Sequence, residues 1–316
     1  MYLHEQQDVF KDIIEQVHAK TGVDPLIIEK DYYVTLILRR LAQELPDCVF
    51  KGGTSLSKGF HAIDRFSEDI DITFSERLGD SRRKSLKNSI LKGISNELKM
   101  PIVNWENIRS RRDYNAYHFA YKSVFGEDNR MPAHVKLETA LGSYSFPTQR
   151  VELGNYIGDY LKQQGRADLA TLYGLDSFSM NLQSLERTFV DKVFAICDYY
   201  LQGKSNRYSR HLYDIHKLLP MISIDENLAQ LLHEVREHRE ASSIPCPSAK
   251  EDICIPNLLH ELCENDFYKE DYESITDYFA NDHVPYEEVI ETIVFLADSK
   301  LFEEPKDFPL TRKQMK

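Results

Sequence analysis

Apolar residues recur at helical spacing near the beginning of the chain, over 3–20 and 24–44. Each stretch predicts a helix, because apolar positions three and four residues apart share one face. Asp24 followed by Pro25 strengthens the second prediction, since a capping side chain precedes a residue preset for the first helical turn. Further along, the same periodicity predicts helices at 181–201, 208–219, 224–237, 257–264 and 284–299.

The pattern between these helical regions is typical of strands. DCVFKGG (47–53) is an apolar run closed by glycines, which predicts a strand entering a tight turn, with Thr54 or Ser55 capping a following helix. DIDITF (69–74) and HVKLETAL (134–141) alternate with period two, as half-buried strands do. The remaining predicted elements are a helix at about 80–99, an aromatic strand at 115–125 and an inter-domain passage, rich in glycine and turn residues, at about 142–180.

This order of elements predicts an α/β (α+β) fold, a mixed sheet with flanking helices followed by a helical domain. We place the first domain at residues 1–165, including the N-terminal helices, and the second at 166–316. The chain of 316 residues is long enough for either one large or two modest domains.

Composition narrows the functional classes. A formal net charge of -12 argues against a protein that coats nucleic acid through its overall field. The stretch 80–112 is nevertheless locally basic, either as a binding surface or as a solvated helix face. The five cysteines show no metal-ligand spacing, and the chain has neither a signal-peptide layout nor an apolar run of membrane-spanning length. We therefore expect a cytoplasmic protein with no membrane partner.

Candidate metal ligands come from the two alternating segments. Asp69 and Asp71 share one face of a predicted strand, roughly 7 Å apart along it, so both can reach one or two Mg²⁺ ions. Glu138 lies on the polar face of another predicted strand and is a third candidate oxygen ligand. The alternatives are a solvated strand edge for the aspartates and an ordinary ion pair between Glu138 and Lys136.

Gly52 and Gly53 precede the predicted helix after the first strand. Such a pair lets the backbone approach a triphosphate closely, although a simple tight turn explains it equally well. Next to two metal-binding aspartates the first interpretation gains weight. A phosphate cradle and a carboxylate cluster are the parts that in-line nucleotidyl transfer requires.

Six segments in order resemble motifs of the AbiEii/AbiGii toxin family, a branch of the polymerase-β-like nucleotidyltransferase superfamily. The resemblance covers about 25–220 and implies a nucleotidyltransferase fold. The segments are IIEKDYYVTLIL (27–38), KGGTSLSKGF (51–60), RFSEDIDITF (65–74), VKLET (135–139), LERTFVDKVFAI (185–196) and SRHLYDIHKL (209–218).

The resemblance implies a Mg²⁺-dependent (or Mn²⁺-dependent) nucleotidyltransferase that acts on a nucleoside triphosphate. It also implies the toxin of a bacterial toxin–antitoxin or phage-defence pair, with a cognate antitoxin as partner. Some relatives act on tRNA, and the basic region at 80–112 is our candidate surface for such an acceptor. The implied site comprises phosphate-binding Gly52, Gly53, Thr54 and Ser55, metal-binding Asp69, Asp71 and Glu138, the nucleotide-contacting Lys192 and the essential Asp214.

The pattern alone describes the last two residues differently. Lys192 falls at the edge of the apolar stripe of its predicted helix, either reaching solvent or projecting into a cleft between domains. Asp214 lies off the apolar face of its helix, as a solvated acid would. Arg65 and Lys58 are candidate positive charges near the phosphates or plain surface residues.

Two other functions fit parts of the sequence. DIDIT (69–73) matches the DxDxT of haloacid-dehalogenase-type phosphatases, although RFSE replaces the usual apolar strand before it and GGTS would have no role. A catalytically inactive nucleotide-binding or sensing module is the non-enzymatic alternative. The intact Asp69, Asp71 and Lys192 argue against it.

Overall fold

The computed structural model describes residues 1–126, 128, 131–242, 244–276 and 282–302. The chain divides into two compact units. The first unit comprises Met1–His61 and Phe66–Gln183, and the second comprises Ala62–Arg65 and Ser184–Lys316. Among the described residues, no helix is both long and apolar enough to cross a membrane.

The first unit combines a sheet with helices. Its strands are β1 (Cys48–Lys51), β2 (Ile70–Phe74), β3 (Tyr114–Ala120), β4 (His134–Tyr144), β5 (Thr148–Leu153) and β6 (Phe178–Gln183). Its helices are α1 (Gln7–Thr21), α2 (Pro25–Glu44), α3 (Gly52–Lys58), α4 (Asp80–Ser85), α5 (Lys92–Glu97), α6 (Tyr156–Gln163) and α7 (Ala167–Leu172), with a π-helical segment at Leu86–Leu91 and 3₁₀ turns at Leu3–Glu5 and Trp105–Asn107.

The described strands form a six-stranded mixed sheet in the order β3-β4-β2-β1-β6-β5. The pairs β4–β2 and β1–β6 are parallel, and the other neighbours are antiparallel. The strands β2 and β1 therefore lie in the middle of the sheet. This mixed sheet and the helical second unit confirm the predicted fold class.

Alternation along β2 has the predicted consequence. Ile70, Ile72 and Phe74 are buried in the core, whereas Asp71 points to the other face and is only partly buried. Upstream, the predicted start of α2 is also confirmed, because the carboxylate of Asp24 accepts a hydrogen bond from the Leu26 amide at 2.8 Å. Local patterns thus suffice where one face of an element is polar and the other apolar.

Residues 142–180 do not form the predicted passage between domains. They complete β4 and supply β5, α6, α7 and the first half of β6, all within the first unit. The strand β5 lies at the end of the sheet, where Thr148, Gln149 and Arg150 are exposed. An edge strand with this many polar side chains shows no alternation, so the sequence pattern resembles a loop.

The second unit is helical in its described part. It contains α8 (Leu185–Leu201), α9 (Arg210–Leu218), α10 (Glu226–Glu240), α11 (Ile255–Glu264), α12 (Lys269–Asp271) and α13 (Tyr286–Ala297), a π-helical segment at Tyr272–Thr276 and 3₁₀ turns at Leu219–Met221, Pro247–Ala249 and Lys300–Phe302. The predicted helix at 181–201 begins only at Leu185, because 178–183 is a strand and Ser184 caps the helix by accepting from the Arg187 amide at 3.2 Å.

Candidate active site

Two acids meet on neighbouring strands at the middle of the sheet. Asp71 of β2 is in register with Glu138 of the parallel strand β4, so the two carboxyl groups lie side by side on adjacent strands. The sheet topology therefore brings together two of the three predicted metal ligands.

Two lysines and a tyrosine surround this acid pair. The ammonium of Lys136, on the same face of β4, forms an ion pair with Glu138 and lies 3.9 Å from the carboxylate of Asp69. The Tyr114 hydroxyl of β3 donates to Glu138 at 2.7 Å. On the other side, Lys51 of β1 is the cross-strand neighbour of Asp71. The ion pair between Glu138 and Lys136, one of the two predicted alternatives, is thus present.

The acid pair perturbs its own protonation. Burial and the neighbouring Glu138 raise the pKa of Asp71 to about 7, against the opposing charge of Lys51. Such a shift arises when one carboxylate must ionise beside another in a poorly solvated place. The site consequently favours a positive charge next to Asp71, whether proton, ammonium or metal ion.

Gly52 is required at the start of α3 by its contact with Asp71. Its φ is +80°, and a Cβ atom there would lie 2.2 Å from Asp71 Oδ2. No side chain fits at that distance. The first glycine of the pair therefore lets the backbone lie directly against the carboxylate, a closer approach than a simple turn needs.

The hydroxyls of Thr54 and Ser55 are both buried and already bonded. Thr54 Oγ1 lies 2.9 Å from Ser67 Oγ, and Ser55 Oγ donates to the Gly52 carbonyl at 2.8 Å. Neither side chain caps α3, whose N-cap residue is Lys51, so the predicted cap is wrong. In this structure the two hydroxyls stabilise the turn, and the backbone of 52–55 is the part left to face a phosphate.

The three predicted metal ligands, Asp69, Asp71 and Glu138, are all carboxylates. Carboxylate oxygens suit a hard divalent cation, and the raised pKa of Asp71 marks a place where a cation is favoured. Within the described ranges, however, no group of three or more His, Cys, Asp or Glu side chains is arranged to hold a metal ion. Asp71 and Glu138 fit such an ion, whereas the full set with Asp69 stays a prediction.

A second ionic cluster lies in the second unit. Asp214 of α9 accepts a bidentate pair of hydrogen bonds from Arg65, at 2.7 and 2.6 Å, and a third from Lys192 of α8 at 2.5 Å. The exposed fractions of these side chains are 0% for Asp214, 5% for Arg65 and 6% for Lys192. We call this set the Asp214 cluster.

The charges in the Asp214 cluster control its protonation. Burial alone would raise the pKa of Asp214, but Arg65 and Lys192 outweigh it and hold that pKa well below its usual range. Burial in turn lowers the pKa of Lys192, although Asp214 opposes the change. A doubly paired carboxylate in this position is ionised at every physiological pH.

The pattern-based placements of Asp214, Lys192 and Arg65 need correction. Asp214 is not a solvated helix acid, the Lys192 ammonium binds Asp214 and does not reach solvent, and Arg65 is not a surface residue. The reason is that α8 packs against α9, α10 and α11, so that almost its whole circumference is covered. A helical-wheel projection separates buried from solvated positions only where a helix has one exposed face, and α8 exposes little of its surface.

The predicted basic surface at 80–112 is only partly available. Arg83 is buried and paired with Asp113 at 2.7 Å. The ammonium groups of Lys87 and Lys92 lie 4.6 and 5.0 Å from the centre of the Trp105 ring. Several of the charges that suggested a binding face therefore take part in internal contacts.

A mixed sheet that carries acids on adjacent strands beside a glycine turn is what we expect of a nucleotidyltransferase. Residues 36–298 match the model of the family described as nucleotidyl transferase AbiEii toxin, Type IV TA system, and the chain belongs to this family. The family resemblance and the nucleotidyltransferase class are thereby confirmed. The match extends to residue 298, well beyond the last quoted motif. No curated protein matches the chain.

Sequence reasoning missed several residues around the site. Lys51 and Tyr114 were assigned no role, and Lys136 was considered only as an ordinary partner of Glu138. Their positions follow from the strand register. Asp71 of β2 and Ala116 of β3 are the cross-strand partners of Glu138 on its two sides. A pairing of strands far apart in sequence leaves no local pattern, so only a correct guess of the sheet order would have found them.

Proposed function

We propose that the protein is a divalent-metal-dependent nucleotidyltransferase that moves a nucleoside monophosphate from a nucleoside triphosphate to an acceptor. The observation that carries this proposal is the acid pair of Asp71 and Glu138, held on adjacent strands and directly against Gly52. Family membership supplies the reaction class, and this geometry supplies a place where a metal-bound triphosphate fits.

In the proposed mechanism the acceptor nucleophile attacks the α-phosphorus in line with the departing pyrophosphate. The backbone of Gly52, Gly53, Thr54 and Ser55 would lie against the triphosphate, and Asp69, Asp71 and Glu138 would hold the metal ion. When bound, Mg²⁺ or Mn²⁺ neutralises charge on the transferring group and on pyrophosphate. The Lys136 ammonium, which is paired with Glu138, would have to move aside for the metal ion.

Lys192 is the proposed contact to the nucleotide phosphates. An ammonium group has three N–H donors, so Lys192 can bind Asp214 and phosphate oxygens at the same time. Asp214 and Arg65 then act as positioning residues that fix the lysine in one place. A fixed positive charge stabilises developing negative charge more effectively than a mobile one.

The biological setting is proposed from the family alone. We infer a cytoplasmic toxin with a cognate antitoxin, and tRNA as the candidate acceptor. The charges of 80–112 that remain exposed, such as Arg111 and Arg112, would face the RNA backbone. The alternative of a DxDxT phosphatase loses support, because the chain belongs to a nucleotidyltransferase family.

The test uses purified protein, Mg²⁺, each α-labelled nucleoside triphosphate in turn, and either total tRNA or cell lysate. We expect label in tRNA or in a protein band from the wild type and none from an Asp69→Ala/Asp71→Ala variant. Glu152→Gln, which changes an exposed acid on strand β5 of the same sheet, is the matched control and should retain activity.

Two results would contradict the proposal. Transfer that survives in the Asp69→Ala/Asp71→Ala variant would show that the acid pair is not the site of chemistry. Triphosphate binding with no transfer from any nucleotide to any acceptor would favour the inactive sensing module. Label found in a protein band and absent from tRNA would keep the reaction class and replace the acceptor.

A further inference from the structure

Three consecutive charged residues of helix α2 point into the first unit. The exposed fractions are 0% for Glu29 and 2% for Lys30, and the side chain of Asp31 is 16% exposed. Burying even one charge is costly unless it is paired and hydrogen-bonded. Three buried charges in succession on one helix indicate that each has a specific partner. The three partners lie in different parts of the first unit.

Lys30 joins the beginnings of the two strands that carry the acid pair. Its ammonium donates to the carbonyls of Pro132 and His134, at 2.7 and 2.8 Å, where β4 begins. It also forms an ion pair at 2.8 Å with Glu68, two residues before β2. One buried cation therefore ties the strand that carries Asp71 to the strand that carries Glu138.

Asp31 holds the helix that follows the two glycines. One of its oxygens is paired with the ammonium of Lys58, the last residue of α3. The other accepts from the amide of Tyr156 at 3.1 Å, where α6 begins. The anchor of the glycine turn is thus separate from the anchor of the acid strands, although the two residues are adjacent in sequence.

Glu29 has a third target, remote from both. Its carboxylate accepts from the Ser123 hydroxyl at 2.6 Å and from the Val124 amide at 2.9 Å, in the segment after β3. It resembles its two neighbours in burial and in its place on the helix, but its hydrogen bonds within the described part of the chain join neither the acid strands nor the glycine turn. Glu29 is therefore a natural control for the other two.

We propose that Lys30 and Asp31 are positioning residues with separate tasks, Lys30 for the metal-binding acids and Asp31 for the phosphate-binding turn. This inference rests on the proposed function of the acid pair and the turn. A buried ion contact fixes geometry even where it adds little stability. Groups that orient the ligands of a site in this way are as necessary as the ligands themselves.

The experiment measures two binding constants on the full chain. Mn²⁺ binding, followed by electron paramagnetic resonance, reports on the acids, and tripolyphosphate binding without metal, followed by calorimetry, reports on the turn. Lys30→Met should weaken Mn²⁺ binding about 10- to 100-fold, the range for residues that orient metal ligands, and leave tripolyphosphate binding nearly unchanged. Asp31→Asn should do the reverse. Glu29→Gln should alter neither constant, although it lowers the thermal midpoint.

A variant that fails to fold is replaced by one that removes the same contact from the partner residue. Glu68→Gln replaces Lys30→Met, and Lys58→Met replaces Asp31→Asn. The inference is wrong if either variant lowers both constants equally, if Glu29→Gln changes them as much, or if the wild type binds neither probe. Should the separation hold while no nucleotide is transferred to any acceptor, the positioning roles stand and the proposed turnover fails.

Discussion

The two ionic clusters of the protein differ in solvation and in balance of charge. The acid pair and its neighbours are partly exposed, with exposed fractions of 31% for Asp69 and 34% for Lys136. The Asp214 cluster is almost completely enclosed and contains two cations for one anion. The first cluster has an acid whose pKa is raised, and the second has one whose pKa is lowered.

Because of this difference, one charged group can replace another at the acid pair, whereas the charges of the Asp214 cluster are fixed. The side chains of Asp69 and Lys136 are partly exposed, so the Lys136 ammonium can be displaced when a cation arrives. No such exchange is expected at Asp214, where removing either partner leaves an uncompensated charge in a poorly solvated interior. Substitutions at the first cluster should therefore affect ligand binding with little change in stability, whereas substitutions at the second should lower the stability of the fold.

The largest effect is expected from Asp214→Ala. It leaves Arg65 and Lys192 buried without their counterion, which costs about 3–5 kcal/mol of unfolding free energy. Chemical denaturation followed by circular dichroism measures the change. Asp69→Ala, at a partly exposed acid, is the control and should shift stability by less than about 1 kcal/mol. Similar losses in both variants would remove the distinction between the clusters.

Acid should destabilise the wild type through the same carboxylate. Because the pKa of Asp214 is lowered by folding, its contribution to stability is complete above the unfolded pKa of about 3.9 and is lost as the pH falls toward the folded value. Unfolding free energy measured between about pH 5 and pH 2 should therefore fall less steeply in Asp214→Asn than in the wild type. Parallel curves would mean that protonation of Asp214 does not contribute to the loss of stability in acid.

A smaller loss is expected from Gly52→Ala. The left-handed backbone costs a residue with a Cβ about 1–2 kcal/mol, and the new methyl group must also displace the carboxylate of Asp71. We expect weaker Mn²⁺ binding in addition to the lower stability. Gly93→Ala in α5, where a Cβ meets no atom within 4 Å, is the matched control and should stabilise the helix by about 1 kcal/mol.

The smallest effect concerns the ammonium beside the acids. Lys136→Gln removes a cation that neutralises Glu138 and lies near Asp69, so Mn²⁺ should bind more tightly, by about 3-fold for an ion pair this exposed. Thermal stability should change little. Weaker Mn²⁺ binding in this variant would show that Lys136 supports the metal site, contrary to the exchange expected at this cluster.

Local patterns predicted much of the fold. Alternation in 69–74, the Asp24–Pro25 start and the apolar runs of the second unit correspond to observed elements. The exceptions have physical causes. Strand β5 is polar because it lies at the edge, and α8 shows no free face because other helices cover it on several sides.

The candidate site was only half visible in the sequence. The spacing of Asp69 and Asp71, the pair of glycines and the alternation around Glu138 were local signals, and the family motifs identified Lys192 and Asp214 as candidates. The partners of these residues were not identified, since they come from other strands and helices. Arg65 shows this limit, because 149 positions separate it from the aspartate that it binds.

That separation has a consequence for synthesis on the ribosome. The four residues 62–65 belong to the second unit but leave the ribosome before most of the first. Until α9 has been translated, the carboxylate of Asp214 is absent. Arg65 then cannot be buried as part of an ion pair and stays exposed to solvent. We therefore expect trypsin to cleave within 62–65 when a nascent chain stops at residue 183. For the same reason, a protein truncated at this boundary should not behave as a well-folded isolated first unit.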